Sequence, residues 1–161
     1  MKTAEGYARD ILLAYQGEIR GAVTFDAMAR HESDPVARGV WEKVAELEAL
    51  TRDAVAPLAE RLLGPLDPDA HAAVREEALA RAAARRGVPC EQIARDYLPD
   101  LARFVARFDD LLERTPSADR PVVEQLRAHS QAFGACIRAW LDGNPNAALG
   151  HLQDYLDRYR Q

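Results

Sequence analysis

The chain has 161 residues, 48% of them hydrophobic and 29% charged, with a formal net charge of −5 and a pI near 5.4. That acidic balance, with arginines interleaved among acids, argues against a nucleic-acid-binding face, and no apolar run reaches the roughly 18 residues of a membrane span. The expectation is one soluble, cytoplasmic domain over residues 1–161, long enough to bury a core without disulfides.

Ala, Leu, Arg and Glu outnumber β-branched residues, so the elements should be helices. The first runs from Thr3 or Ala4 to about Arg30. Steps of four and three give its seam as Tyr7, Ile11, Ala14, Glu18, Gly21, Phe25 and Met28, with Glu18 interrupting an otherwise apolar or small row. The link His31-Glu32-Ser33-Asp34-Pro35 is short and turn-like, which predicts an antiparallel hairpin.

The second helix spans Asp34 to Gly64, with Asp34 as N-cap, Pro35 at the first helical position and Gly64 at the stop. Its seam is Trp41, Val44, Glu48, Thr51, Val55, Leu58 and Leu62. A carboxylate at a central seam position costs several kcal/mol unless it is paired, protonated or bound to a metal, so Glu48 is the main functional clue. Glu18 lies 15 residues before Ser33 and Glu48 lies 15 after it, so the two should meet at equal height on facing seams. A register shifted by one would instead send Glu18 to the bundle edge, against an arginine such as Arg20 or Arg52. Two inward carboxylates need a shared proton, a cation or a metal ion. Pro57 predicts a bend beyond this level.

Pro65-Leu66-Asp67-Pro68-Asp69 breaks the chain before an Ala- and Arg-rich helix from about Ala70 to Arg86. Its thin apolar face suits a crossover along the bundle, with His71, Glu76 and Glu77 facing solvent. The next helix begins near Cys90 or Glu91 and ends near Arg114. Its inner face is Leu98, Leu101, Val105, Phe108 and Leu112, broadened by Tyr97, Phe104 and Leu111, and Pro99 predicts a kink or a later start near Leu98. Asp119 is a possible N-cap for the following helix, whose seam is Val122, Leu126, His129, Phe133, Cys136 and Trp140. Its histidine falls within about a turn of the level of Glu18 and Glu48. A lone seam histidine is also a common hydrogen-bonded core residue. Residues 147–159 form a short terminal helix with Leu149, Leu152 and Tyr155 or Leu156 inward. Cys90 and Cys136 lack disulfide or metal spacing and read as inert, although Cys90, near a helix start, is placed for modest acidification.

Two long hairpins joined by a crossover, with acids in mid-helix, resemble the ferritin-like superfamily. That family sets a Glu on one helix and Glu-x-x-His on its partner, twice, around two metal ions. Glu18 matches the first position, and Glu48-Ala49-Leu50-Thr51 the second, with Thr51 where the family has histidine. His129 fits the histidine slot of the second hairpin, but Leu126 stands three residues before it and the third core helix has no seam Glu. The resemblance implies an all-α, ferritin-like four-helix bundle with an added crossover helix and a short C-terminal helix. It further implies a reduced site in which Glu18, Glu48 and His129 hold one ion, Fe or Mn, with the Thr51 hydroxyl behind them and Tyr7, Tyr15 or Trp41 as nearby aromatics. A small oxidoreductase with a small-molecule substrate follows from that reading, a homodimer being the default assembly. The other reading is a metal-free binding or assembly module, without cofactor, whose polar residues form a degenerate, self-bonded network. Neither reading calls for a nucleic-acid or membrane partner.

Overall fold

A computed structural model describes residues 4–160, which form six helices and no strand. They are α1 (Ala4–His31), α2 (Pro35–Leu63), α3 (Pro68–Ala84), α4 (Cys90–Glu113), α5 (Arg120–Leu141) and α6 (Pro145–Tyr159). Thr3, the alternative start of the first helix, lies outside the described residues. Among the described residues no helix is long and apolar enough to cross a membrane.

Local chemistry sets several of these boundaries. The Asp34 side chain accepts the Ala37 amide at 2.8 Å and caps α2, and Gly64 ends it at φ 85°, where a side chain would be strained. Asn144 caps α6 by accepting the Ala147 amide at 3.1 Å. Asp119 flanks α5 without capping it. Its carboxylate instead takes a hydrogen bond from the Tyr7 hydroxyl at 3.1 Å and an ion pair from Arg61, tying α1, α2 and the start of α5 together at one end. The third core helix starts at Cys90, as expected, and not at Leu98: α4 continues through Pro99, which faces solvent.

Packing follows the chain. α1 lies against α2, α2 against α5, and α5 against α4, which gives three closed sides of a bundle, while α1 and α4 are not closely packed. α3 lies along the outside of α1 through Val74, Ala78 and Ala82, and the Thr24 hydroxyl donates to the Ala78 carbonyl at 3.3 Å. The alanine face permits that close approach. His71 departs from expectation: it is buried against α1, its ring edge-on to Tyr15 at 5.2 Å, because the crossover turns its first turn inward. Glu76 and Glu77 are exposed as expected. Phe104 also differs, being 45% exposed, because the side of α4 that carries it faces the open edge of the bundle. α6 reaches well inside, adding Ala148, Leu152, Tyr155 and Leu156 to the core.

The core is in two parts. One cluster contains Phe25, Trp41, Val44, Phe133 and Cys136. The other contains Ile11, Ala14, Val55, Phe108 and Leu126. On α1 the boundary between them falls at Glu18, on α2 at Glu48 and Thr51, and on α5 at His129 and Ser130, so one polar layer crosses the bundle between two apolar halves. Each half buries enough aromatic and aliphatic surface to carry that layer: loss of one such Phe or Trp to Ala typically costs about 3–5 kcal/mol.

Candidate metal centre

Three of the seam positions that interrupt the apolar pattern converge. Glu18, Glu48 and His129 are 3%, 5% and 6% exposed, and one ligand atom from each lies within 4.8 Å of the others. His129 Nε2 stands 3.1 Å from Glu48 Oε1 and 3.5 Å from Glu18 Oε2. For comparison, two ligands about 2.1 Å from one ion are roughly 3.0 Å apart at a right angle and roughly 3.4 Å apart at a tetrahedral angle. Hairpin symmetry explains the carboxylates, since equal counts from the α1/α2 link set them at one height. α5, across the bundle from α1, supplies the imidazole.

Polar atoms at this centre are left without partners. Neither Glu18 Oε2 nor His129 Nε2 has a hydrogen-bond partner, although both are shielded from solvent. The imidazole nitrogen is near Glu48 in distance but not aligned with it as a hydrogen bond. Unpartnered buried polar atoms are rare because each costs about 1–3 kcal/mol, more for charged groups. Burial pushes the Glu18 carboxyl well above the ordinary carboxylate range, and the neighbouring Glu48 charge pushes it the same way.

Gly21 makes the arrangement possible. A Cβ there would overlap the Glu48 carboxylate, so the glycine one turn beyond Glu18 is the space into which the second carboxylate reaches. Its place on the seam was visible in the sequence, but a glycine among small seam residues gave no sign of this role. Thr51, fully buried, directs its hydroxyl to the Leu47 carbonyl at 2.8 Å and lies 2.6 Å from the Tyr155 hydroxyl, rather than bonding to a carboxylate. Tyr155, on α6, stacks edge-on toward the His129 ring at 6.5 Å and is the aromatic that sequence reasoning missed. Of the anticipated ones, Tyr7 serves Asp119, its hydroxyl pushed up to about 12 chiefly by burial; Tyr15 packs on His71; Trp41 stacks on Phe25 at 5.6 Å.

A cavity of about 150 Å³ borders the centre on the side where α1 and α4 are not closely packed. Glu18, Glu48 and His129 line it, together with Gly17 and Gly21 of α1 and Phe104 and Phe108 of α4. Tyr97 also lines it, its hydroxyl pushed up to about 12 mainly by burial. The thiols are not acidified. Cys90 is pushed up to about 12 by burial and by its 2.8 Å hydrogen bond to Glu32, and Cys136 to about 12 by burial.

No protein-family model, no curated protein and no solved structure matches this chain.

Proposed function

We propose that this protein is a ferritin-like helical bundle that binds one divalent transition-metal ion, Fe²⁺ or Mn²⁺, through Glu18, Glu48 and His129. The observation that carries the reading is the pair of unpartnered, buried ligand atoms, Glu18 Oε2 and His129 Nε2, facing a third ligand between two apolar core halves. Two carboxylates and a neutral imidazole sum to −2, and a divalent ion neutralises them where water cannot. Two oxygens and one nitrogen suit Fe²⁺ or Mn²⁺, with Zn²⁺ as the nearest competitor. In this reading α1/α2 and α4/α5 are the two ferritin-like hairpins and α3 the crossover, with one of the family's two ion sites retained.

Glu18, Glu48 and His129 also line the cavity, so an ion held by them would border it. An ion there supplies Lewis-acid or one-electron redox chemistry, which makes a small oxidoreductase the finer form of the proposal. The chain's own part is to hold the three ligands, to exclude bulk water with the two apolar halves, and to release to solvent the proton that Glu18 gives up when the ion enters.

The test is a titration of chelator-stripped, untagged protein with Fe²⁺ (under anaerobic conditions), Mn²⁺ and Zn²⁺, read by calorimetry and thermal melting. One ion per chain is expected, with the fold stabilised by about 2.7 kcal/mol at a hundredfold excess over Kd, and the effect absent in Glu18→Gln and His129→Asn. A melting temperature indifferent to all three metals overturns the reading in favour of a metal-free module.

A further inference from the structure

The cavity beside the metal centre has the chemistry of a substrate pocket. Its walls are aromatic and aliphatic, from Phe25, Leu101, Phe108 and Phe133, with Leu13 and Phe104 lining it as well. Those two are 42% and 45% exposed and mark the end that opens to solvent. Cavities of about 150 Å³ lined by Leu, Ile and Phe take up a single benzene-sized ring. Its inner end is the Glu18, Glu48 and His129 cluster, where two buried polar atoms have no protein partner and are turned toward a prospective ligand.

The charged residues around the opening carry a second signal. Arg20, Arg81, Arg107 and Asp100 all line the cavity. Arg20 and Arg81 share one carboxylate, Glu77, at 3.2 and 2.6 Å. Arg107 and Arg114 share Asp10, Arg107 at 3.6 Å, and Arg103 pairs with Asp100. These pairs set five cations against three anions, a local surplus of two positive charges on a chain whose net charge is −5. An anionic group therefore finds its complement at the opening rather than at the floor, which the two glutamates make acidic unless an ion neutralises them.

Resting on the metal reading for the charge of the floor, we infer that the cavity binds a small monoanionic organic acid with a one-ring or similarly sized apolar body. The apolar end enters first toward Glu18, Glu48 and His129, and the acid group stays among Arg20, Arg81 and Arg107. The position presented to the metal is thus a C–H or ring position remote from the carboxylate. Gly17 keeps the pocket accessible: it lines the cavity, and a Cβ built on it meets nothing within 4 Å. A larger side chain at Gly17 starts from open space, since the Cβ itself meets nothing, and extends into the passage.

The probes are benzoate, benzyl alcohol and benzylamine, three molecules of one ring that differ in charge, titrated by calorimetry and ligand-observed NMR into metal-loaded and chelator-stripped protein. Benzoate is expected to bind at least about fivefold tighter than benzyl alcohol and about tenfold or more tighter than benzylamine, with the preference shrinking as salt is added. Gly17→Leu is expected to abolish binding of all three while leaving metal affinity unchanged, and Arg107→Gln to lower benzoate affinity while sparing benzyl alcohol. Metal binding with no probe bound, probe binding that Gly17→Leu does not alter, or benzylamine equal to benzoate overturns the inference. Benzoate binding that Gly17→Leu abolishes, in a protein that binds no metal, upholds the pocket and removes only the metal reading.

Discussion

Gly21 on α1 vacates the volume that the Glu48 carboxylate of α2 fills. A Gly→Ala change in a helix interior normally stabilises by up to about 1 kcal/mol, so Gly21→Ala should fold. Its methyl group must displace the Glu48 carboxylate, because Gly21 has backbone on one side and a buried acid on the other. Metal affinity should fall about 10- to 100-fold, the range seen when residues that position a ligand are changed. Calorimetric titration of parent and variant with Mn²⁺ checks this, and equal affinities would show that Glu48 does not need the space.

The site was largely legible in the sequence for a geometric reason. Heptad-like counting locates polar interruptions, and a short hairpin link converts equal counts from Ser33 into equal height, which is why Glu18 and Glu48 meet. The level of His129 followed from rise per residue alone. Other features depend on packing that one sequence does not encode locally. His71 is buried because α3 happens to dock its first turn on Tyr15, and Phe104 is exposed because α1 and α4 stand apart. Asp119 has the right residue type for an N-cap, yet Tyr7 and Arg61, more than fifty residues away in the chain, draw its carboxylate elsewhere.

Replacing Glu48 by Leu separates the cost of the polar layer from its use. In chelator the variant should be more stable than the parent, since an inward carboxylate is exchanged for an apolar side chain. Replacing a whole buried ionic network gains on the order of 1–4 kcal/mol, and one member less. With Fe²⁺, Mn²⁺ or Zn²⁺ present the parent should gain stability and the variant should not. Thermal melts of both proteins with and without each metal read both effects together. A Leu variant that still responds to metal would remove Glu48 from the ligand set.

The raised Glu18 carboxyl fixes the sign of the pH dependence. In the unfolded chain this group titrates near the ordinary Glu value of about 4.3; in the fold it titrates well above that, chiefly through burial. Between the two values the folded state holds a proton that the unfolded state has lost. Unfolding free energy must therefore fall as pH rises through this window. Metal-stripped protein should be more stable toward the acid side of the window, and Glu18→Gln should flatten that slope. Metal entry displaces the same proton, so metal affinity should climb by up to about tenfold per pH unit across the window and then level off. Melting curves in chelator from about pH 4.5 to about pH 8 test the first part, and parallel curves for parent and Glu18→Gln would contradict it.

Thr51 and Tyr155 form a unit beside the centre rather than part of it. The Thr51 proton goes to the Leu47 carbonyl, so in the 2.6 Å contact between the two hydroxyls Tyr155 must be the donor. Thr51→Val keeps the β-branched shape but leaves the Tyr155 hydroxyl without this acceptor in a site 4% exposed, at a cost of about 1–3 kcal/mol. Tyr155→Phe removes the donor. The double variant should therefore cost less than the sum of the two single changes, with a coupling of about 0.5–3 kcal/mol. Because the Thr51 hydroxyl bonds to a carbonyl and a phenol and not to Glu18 or Glu48, Thr51→Val should change Mn²⁺ affinity by no more than about threefold, well short of the 10- to 100-fold typical of a ligand-positioning group. Urea unfolding of the four proteins in the cycle gives the coupling, and Mn²⁺ titration of Thr51→Val gives the affinity. A loss of metal binding as large as that of Gly21→Ala would mean that Thr51 holds a ligand in place after all.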